Sequence, residues 1–424
     1  MPSSTRHLQA IIFGGGIAGL WTLARLTREG YDCLLLTTEP LGAGQTIASQ
    51  GIIHGGIKYT LGLAEIGDAS RRIAEMPEIW RGCLEGRGQL DLTAARVLSP
   101  HQYLWTTPGL ISRIAGFGAS RAIRTEVVKL AAGGEGSEGG RPAVFAGAPR
   151  GVDVYRVEEP VLAVDSVVRA LALPLADRIG YIDFPGDVRF ETTEPFGLRA
   201  MELLGIGKAR ATVRLTADRF ILAAGAGNQG LLNTMNPGGF ALMQRRPLHM
   251  VIAQFGDGCE RGKLALFAHC LGASSLPRLT ITSAGTVWYI GGQIAEVGVG
   301  RSEADQIAAA RAELAACLPW VNLGDVELST FRIDRAEGVA NHGEIGKRPD
   351  GPVITEINNV IVGSPTKLAF APAFAEEVLG CMVAGNISPA ASPDRASPPA
   401  TRRTALDGVD LAHPGFAKYP WERA

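Results

Sequence analysis

The feature that most constrains this chain is a glycine turn close to its start. Gly14-Gly15-Gly16-Ile17-Ala18-Gly19 fits G-x-G-x-x-G, with an apolar run, Leu8 to Phe13, before it and helical spacing from Ile17 to Arg28 after it. Gly30 closes that helix, and a second apolar run, Cys33 to Leu36, follows at once. Strand, glycine turn, helix and strand within about thirty residues make the βαβ unit that binds a dinucleotide. Gly14 permits the tight turn, Gly16 lets a pyrophosphate approach the backbone, and Gly19 lets the helix pack on its strand. Ile17 and Ala18 open the helix, whose N-terminus would face the anion. Such a unit usually ends its second strand with an acid that holds the ribose. Thr37 occupies that position here, and Glu39, on the same side by period two, is read either as the ribose ligand or as a plain loop acid.

Composition narrows the class. With 424 residues, 46% hydrophobic, the chain can bury a large core in two domains or one elaborated one. Its 41 basic and 42 acidic residues nearly cancel, so there is no general electrostatic reason to bind nucleic acid or an anionic membrane. Any anion recognition must be local. Cys33, Cys83, Cys259, Cys270, Cys317 and Cys381 form no CxxC pair, which favours a reducing compartment and no metal site. The uncharged run Leu8 to Ala24 mimics a signal peptide or membrane helix, but its glycines, its length and the lack of an A-x-A site fit a soluble strand-turn-helix. The expectation is a cytoplasmic protein without integral membrane contact, a peripheral contact at the inner face of a membrane being left open.

Further along, Arg71 to Cys83 reads as a helix, Arg96 to Tyr103 as irregular or short strand, and Ala131 to Arg141 as an exposed Gly/Glu/Ser loop. Val161 to Ile179 reads as helical, and Phe190 to Ala224 as several strands. His249 to Phe255 and Thr286 to Gly291 read as β, Glu303 to Cys317 as an Ala-rich helix, and Val360 to Val362 as a short strand. From Ile387 the chain turns to Pro, Ser and Ala, a loose tail whose Phe416, Tyr419 and Trp421 offer side chains for docking.

Three more stretches carry a resemblance. Residues 42–59 read GAGQTIASQGIIHGGIKY, 216–228 read TADRFILAAGAGN, and 358–372 read NNVIVGSPTKLAFAP. With the N-terminal turn, and in this order, they resemble the FAD-dependent D-amino-acid oxidase superfamily from residue 8 to about 385. His54 to Tyr59 is most similar to the FAD-linked glycerol-3-phosphate dehydrogenases, and L-2-hydroxyglutarate oxidases carry a related stretch.

The resemblance implies an α/β fold: a Rossmann-like FAD/NAD(P)-binding domain with an inserted mixed-sheet α+β substrate domain. Residues 1–85, 150–240 and 336–386 would build the FAD domain, 86–149 and 241–335 the substrate domain, and 387–424 the tail. FAD would be held by Gly14, Gly16, Ile17, Ala18, Gly19, Thr37, Glu39, Thr46, Ser49, His54, Gly225, Ala226, Gly363, Lys367 and Leu368. His54 either packs beside the flavin edge or attaches it covalently. A nicotinamide cofactor stays open as an alternative, since the turn serves both.

Oxidising an alcohol carbon with a flavin needs a base for the hydroxyl proton, a path for hydride to N5 and positive charge near N1. His249, in RPLHMVI, is similar in context to a histidine of the dehydrogenases, and it equally fits a core position among apolar residues. Lys58, beside Tyr59, falls where the dehydrogenases carry a phosphate-binding arginine, and it offers a point charge in place of a fork. Arg332 is similar to the arginine of their Val-Arg-Pro motif and would clamp a carboxylate or phosphate; Arg335 competes for that role, and Asp334 could tie up either. Lys367, in Thr366-Lys367-Leu368, resembles their Gly-Lys-Leu-Thr and would stabilise reduced flavin or reach the substrate. Those enzymes carry a helical C-terminal domain where only a Pro-rich tail follows here, so their membrane-docking surface is not carried over.

The implied activity is hydride removal from a CH–OH carbon of a small anionic metabolite, either glycerol 3-phosphate-like or a 2-hydroxy acid. Oxygen, a quinone or a redox protein would accept the electrons. Two other readings stand beside it. An amine or amino-acid oxidase needs a neutral amine and a carboxylate anchor but no alcohol base. A redox-silent flavin-binding scaffold is suggested by Thr37 in the acidic slot and by alanine where the C-terminal loop usually has a second glycine.

Overall fold

The computed structural model describes residues 5–56, 68–107, 126–133, 140–194, 196–206, 211–256, 264–272, 276–339, 349–390 and 411–422. Two eight-stranded sheets organise them. In the first, Thr5–Phe13 lies parallel between Ala211–Leu222 and Cys33–Thr37. Ile179–Tyr181 continues it parallel on one side and Val360–Ser364 on the other. Antiparallel strands complete it: Val353–Ile357 on Val360–Ser364, and the hairpin Val188–Thr193 and Gly197–Ile206 on Ala211–Leu222.

Alternation along Thr5–Phe13 sends side chains to two cores. Ala10 and Ile12 pack with Leu20 and Trp21 of the helix Ile17–Arg28 and with Phe370 and Phe374. Ile11 and Phe13 face the opposite way, onto Leu198, Met201 and Leu231. Both faces are covered, which is why these strands read as unbroken apolar runs.

The second sheet runs Glu327–Gly338, Met243–Gln254, Val287–Gly291, Leu279–Ala284, Phe267–Leu271, Gln102–Thr106, Val154–Val157 and Val127–Leu130. Its neighbours are antiparallel except Phe267–Leu271 with Gln102–Thr106. The helix Glu303–Cys317 covers one face, burying Ala310, Leu314 and Cys317 against Trp105, Val251, Ile281 and Trp288. Ser302 caps that helix, accepting from the Asp305 N–H at 3.1 Å.

Residues 96–103 carry the short strand Val97–Ser99 and the start of Gln102–Thr106, in line with the sequence reading, while one local expectation changes. Residues 161–179 are not one helix: Val161–Leu162 pairs with Val97–Ser99, and the helix spans only Val164–Ala172. A 3₁₀ stretch, Leu173–Arg178, then leads into Ile179–Tyr181. Pro174 has no N–H to donate to the preceding turn, and the chain leaves helical geometry just after it, at Leu175 (φ −124°). Val154–Val157, inside the 150–240 segment, pairs in the second sheet.

The tail docks. The Ala412 and Gly415 carbonyls accept from the Tyr181 and Leu41 N–H groups at 2.7 and 3.0 Å. The Tyr419 hydroxyl lies 2.8 Å from Asp165, and the Trp421 ring stacks on Tyr419 and reaches Tyr289 of the second sheet at 5.3 Å. Burial pushes the Cys33 and Cys83 thiols up, so both stay protonated. Among the described residues no helix is long and apolar enough to cross a membrane.

Candidate functional site

Gly14 leaves the first strand at φ +117°, a conformation relaxed only for glycine. A Cβ there would sit 2.5 Å from Ala224 Cα, and one on Gly19 would run into the Gly14 carbonyl oxygen. Gly16 then opens the helix Ile17–Arg28 with no side-chain cap and no acid in its first turn. The positive end of the helix dipole is thus available to an anion. Thr46 braces the turn, its hydroxyl accepting from the Ile17 N–H at 3.0 Å.

The turn forms one wall of a cleft of about 810 Å³ lined from both sheets. Gly14, Gly16, Ile17, Ala18, Thr37, Glu39, Thr46, Ser49, Gly225, Ala226, Gly363, Lys367 and Leu368 all line it, together with Arg245, Arg332 and Asp334. Gly19 supports the turn from behind, and His54 lies outside this lining. Thr37 spends its hydroxyl locally, donating to the Glu39 carbonyl at 3.1 Å and accepting from its N–H at 3.3 Å. That turn leaves Glu39 exposed at the rim.

The donor set fits FAD. Ser49 Oγ and Thr366 Oγ1 line the cleft, buried and without a hydrogen-bond partner among the described residues. Thr366 also stands at φ +61°, a left-handed conformation that costs a β-branched residue about 1–3 kcal/mol. Strain and unsatisfied hydroxyls beside an open helix N-terminus mark a surface shaped for a polar ligand. Lys367 follows directly and brings positive charge to the same wall.

Two expected residues are engaged by one turn. His249 is fully buried, with Nδ1 3.0 Å from the Gly298 carbonyl and its own carbonyl accepting from Gln306 Nε2 at 2.7 Å. Arg332 stands opposite it in register and donates to the Val299 and Arg301 carbonyls at 2.8 and 2.6 Å. Opposed residues of an antiparallel pair point to one face, and the 298–301 turn closes that face here. Both side chains hold this turn, and Arg332 lines the cleft as well. Arg335 pairs with Glu296 at 2.9 Å. Lys58 and Tyr59 lie outside the described residues.

Other residues came without a sequence signal. Arg245 reaches the cleft, 3.3 Å from Asp334 and 3.4 Å from the Ala226 carbonyl. At the seam between the sheets, His54 Nδ1 lies 3.7 Å from the fully buried Glu159, and its ring 5.5 Å from that of the equally buried His269. Neither Glu159 nor His269 belongs to a recognisable motif; long-range pairing alone brings them to His54.

Comparison with known proteins decides the family. The family model for FAD dependent oxidoreductases matches residues 9–140. The probable FAD-dependent oxidoreductase PA4991 of Pseudomonas aeruginosa is 42% identical over 398 residues, covering 92% of this chain and 95% of its own length. The chain belongs to the FAD-dependent oxidoreductases. It is an enzyme whose cofactor is FAD, which sets aside the redox-silent and nicotinamide readings. The crystal structure of PA4991 superposes with a TM-score of 0.76 at 36% identity, covering 100% of this chain and 99% of that one. Iminodiacetate oxidase from Chelativorans sp. BNC1 aligns at TM-score 0.61 and 15% identity, covering 95% of this chain and 99% of its own. L-alpha-glycerophosphate oxidase from Mycoplasma pneumoniae aligns at 0.57 and 12%, covering 89% and 94%. The last two likenesses establish the shared fold: a Rossmann-like FAD domain with an inserted substrate domain.

Proposed function

We propose that this enzyme oxidises a CH–OH carbon of a small anionic metabolite, either glycerol 3-phosphate-like or a 2-hydroxy acid. The observation that carries this reading is His54, which heads the HGGIKY stretch and is set beside the Glu159 carboxylate at the seam of the two sheets. Alcohol oxidation needs such an imidazole and amine oxidation does not. FAD, when bound, supplies the hydride acceptor.

The chain's own residues do the rest. Gly14, Gly16 and the helix N-terminus receive the pyrophosphate, Glu39 the ribose, and Ser49 and Thr366 further polar atoms of the cofactor. Lys367 opposes the negative charge of the reduced ring. Lys58 with Tyr59 anchors the substrate anion. His54 takes the hydroxyl proton at Nε2, the ring nitrogen that does not face Glu159, as the substrate loses hydride and becomes a carbonyl. In this reading 1–85, 161–240 and 336–386 form the flavin layer, and 86–160 and 241–335 the substrate layer.

Amine or amino-acid oxidation is the second reading. It is favoured by the engagement of His249 and Arg332 with the 298–301 turn, since both groups first expected to serve an alcohol spend hydrogen bonds there. An anaerobic titration of the FAD-loaded enzyme separates the two. Glycerol 3-phosphate, L-2-hydroxyglutarate and other hydroxy acids come first, then glycine, sarcosine and D-amino acids. Bleaching by a hydroxy acid is expected; bleaching by amines alone overturns the alcohol reading. Admitting oxygen, a quinone or a redox protein to the bleached enzyme then identifies the electron acceptor.

A further inference from the structure

A buried carboxylate is costly unless it is bonded, and Glu159 is fully buried where the two sheets meet. Its Oε1 accepts from the Gly55 N–H at 2.6 Å, and its Oε2 accepts from the Gln102 amide. The same Oε2 lies 3.7 Å from His54 Nδ1. Across the seam, His269 Nδ1 is 2.7 Å from Thr280 Oγ1, which orients its ring toward one partner. His54 therefore stands close to a carboxylate and to a second imidazole, each contributed by a separate segment of the chain.

We infer that Glu159 is the positioning residue for His54. Through Gly55 it holds the backbone next to the imidazole, and through its charge it favours the imidazolium that forms when His54 takes a proton. Two ionisable groups of other segments face His54: Glu159, from the segment ahead of Val161–Leu162, and His269, from the strand Phe267–Leu271. His269 acts in the opposite sense, since two adjacent imidazoles resist carrying charge together. The pair thus sets when His54 is neutral and ready to accept. The substrate proton passes to His54 Nε2 and goes on to solvent after the carbonyl product leaves. This inference rests on the role proposed for His54 above.

The test needs no substrate. The full FAD-loaded protein is labelled with ¹³C at its seven histidines, and each imidazole is titrated by NMR from about pH 5 to 9. His54→Asn and His269→Asn identify the two signals. Glu159→Gln, which keeps the size and an acceptor oxygen, should lower the His54 midpoint by about one pH unit or more at unchanged FAD content. His269→Asn should raise it. A His54 midpoint that stays put in Glu159→Gln overturns the inference, because a merely structural Glu159 would not move it. Should Glu159→Gln fail to fold, Glu159→Asp decides: it keeps the charge but draws it back from His54 Nδ1, so the His54 midpoint should fall, and an unmoved midpoint overturns the inference. Failure of the alcohol reading shows separately, as a flavin that hydroxy acids do not bleach.

Discussion

The two walls of the cleft are held in place by different means. On the first sheet, the glycine turn stands against Ala223, Ala224 and its own helix through close backbone approach, with no room for an added atom. On the second sheet, His249 and Arg332 secure the 298–301 turn through hydrogen bonds that side chains can partly replace. The first wall should therefore fail abruptly on small changes, and the second should yield gradually. Close packing of backbone on backbone leaves no rotamer by which strain can relax.

The sharpest way to break this contrast is Gly19→Ala, whose Cβ meets the Gly14 carbonyl oxygen. It should weaken FAD retention by at least about 100-fold, read from flavin absorbance of the purified protein; normal flavin content would show that the turn can relax. Lys367→Met comes next. Flavin reduction should slow by about 100-fold and the flavin potential should fall while FAD stays bound, so an unchanged potential would remove Lys367 from the ring's surroundings.

Paired substitution Tyr419→Ala and Trp421→Ala tests the strap that crosses from wall to wall. For these half-buried rings we expect a loss of about 2 kcal/mol in urea unfolding, together with faster FAD release. His249→Gln and Arg332→Met probe the yielding wall: each should cost about 1–2 kcal/mol of stability and leave flavin reduction within about threefold. A 100-fold loss of reduction rate in either would return that residue to the chemistry.

The smallest effect is one of pH. Burial, above all, pushes the Tyr419 phenol above its ordinary 10.0. The folded chain then keeps a proton that the unfolded chain gives up. The strap's contribution should be intact below pH 10.0 and fade as pH rises past it, and Tyr419→Phe should flatten that decline in a pH series of thermal melts.

The βαβ unit was legible because its demands are local. Glycines at fixed spacing, an apolar strand before them and helical periodicity after them leave few alternatives, and the residues that the family resemblance implied, Thr46, Ser49, Gly225, Ala226, Gly363, Lys367 and Leu368, line the same cleft as that turn. Thr37 shows the limit of that reading: its position followed from counting, yet only the folded turn shows its hydroxyl occupied by Glu39. For His249 and Arg332 nothing in the sequence pointed to the 298–301 turn that both side chains bond. What a strand side chain faces depends on register and on what covers the sheet at that point, and neither is encoded near the residue.

Sequence by itself determined the flavin layer, because backbone sterics at glycine act over a few bonds and do not wait for the rest of the fold. Tertiary structure alone decided which ionisable side chains meet. Glu159, Gln102, His269 and His54 come together because separate segments converge at one seam, where burial forces each polar group to find a partner.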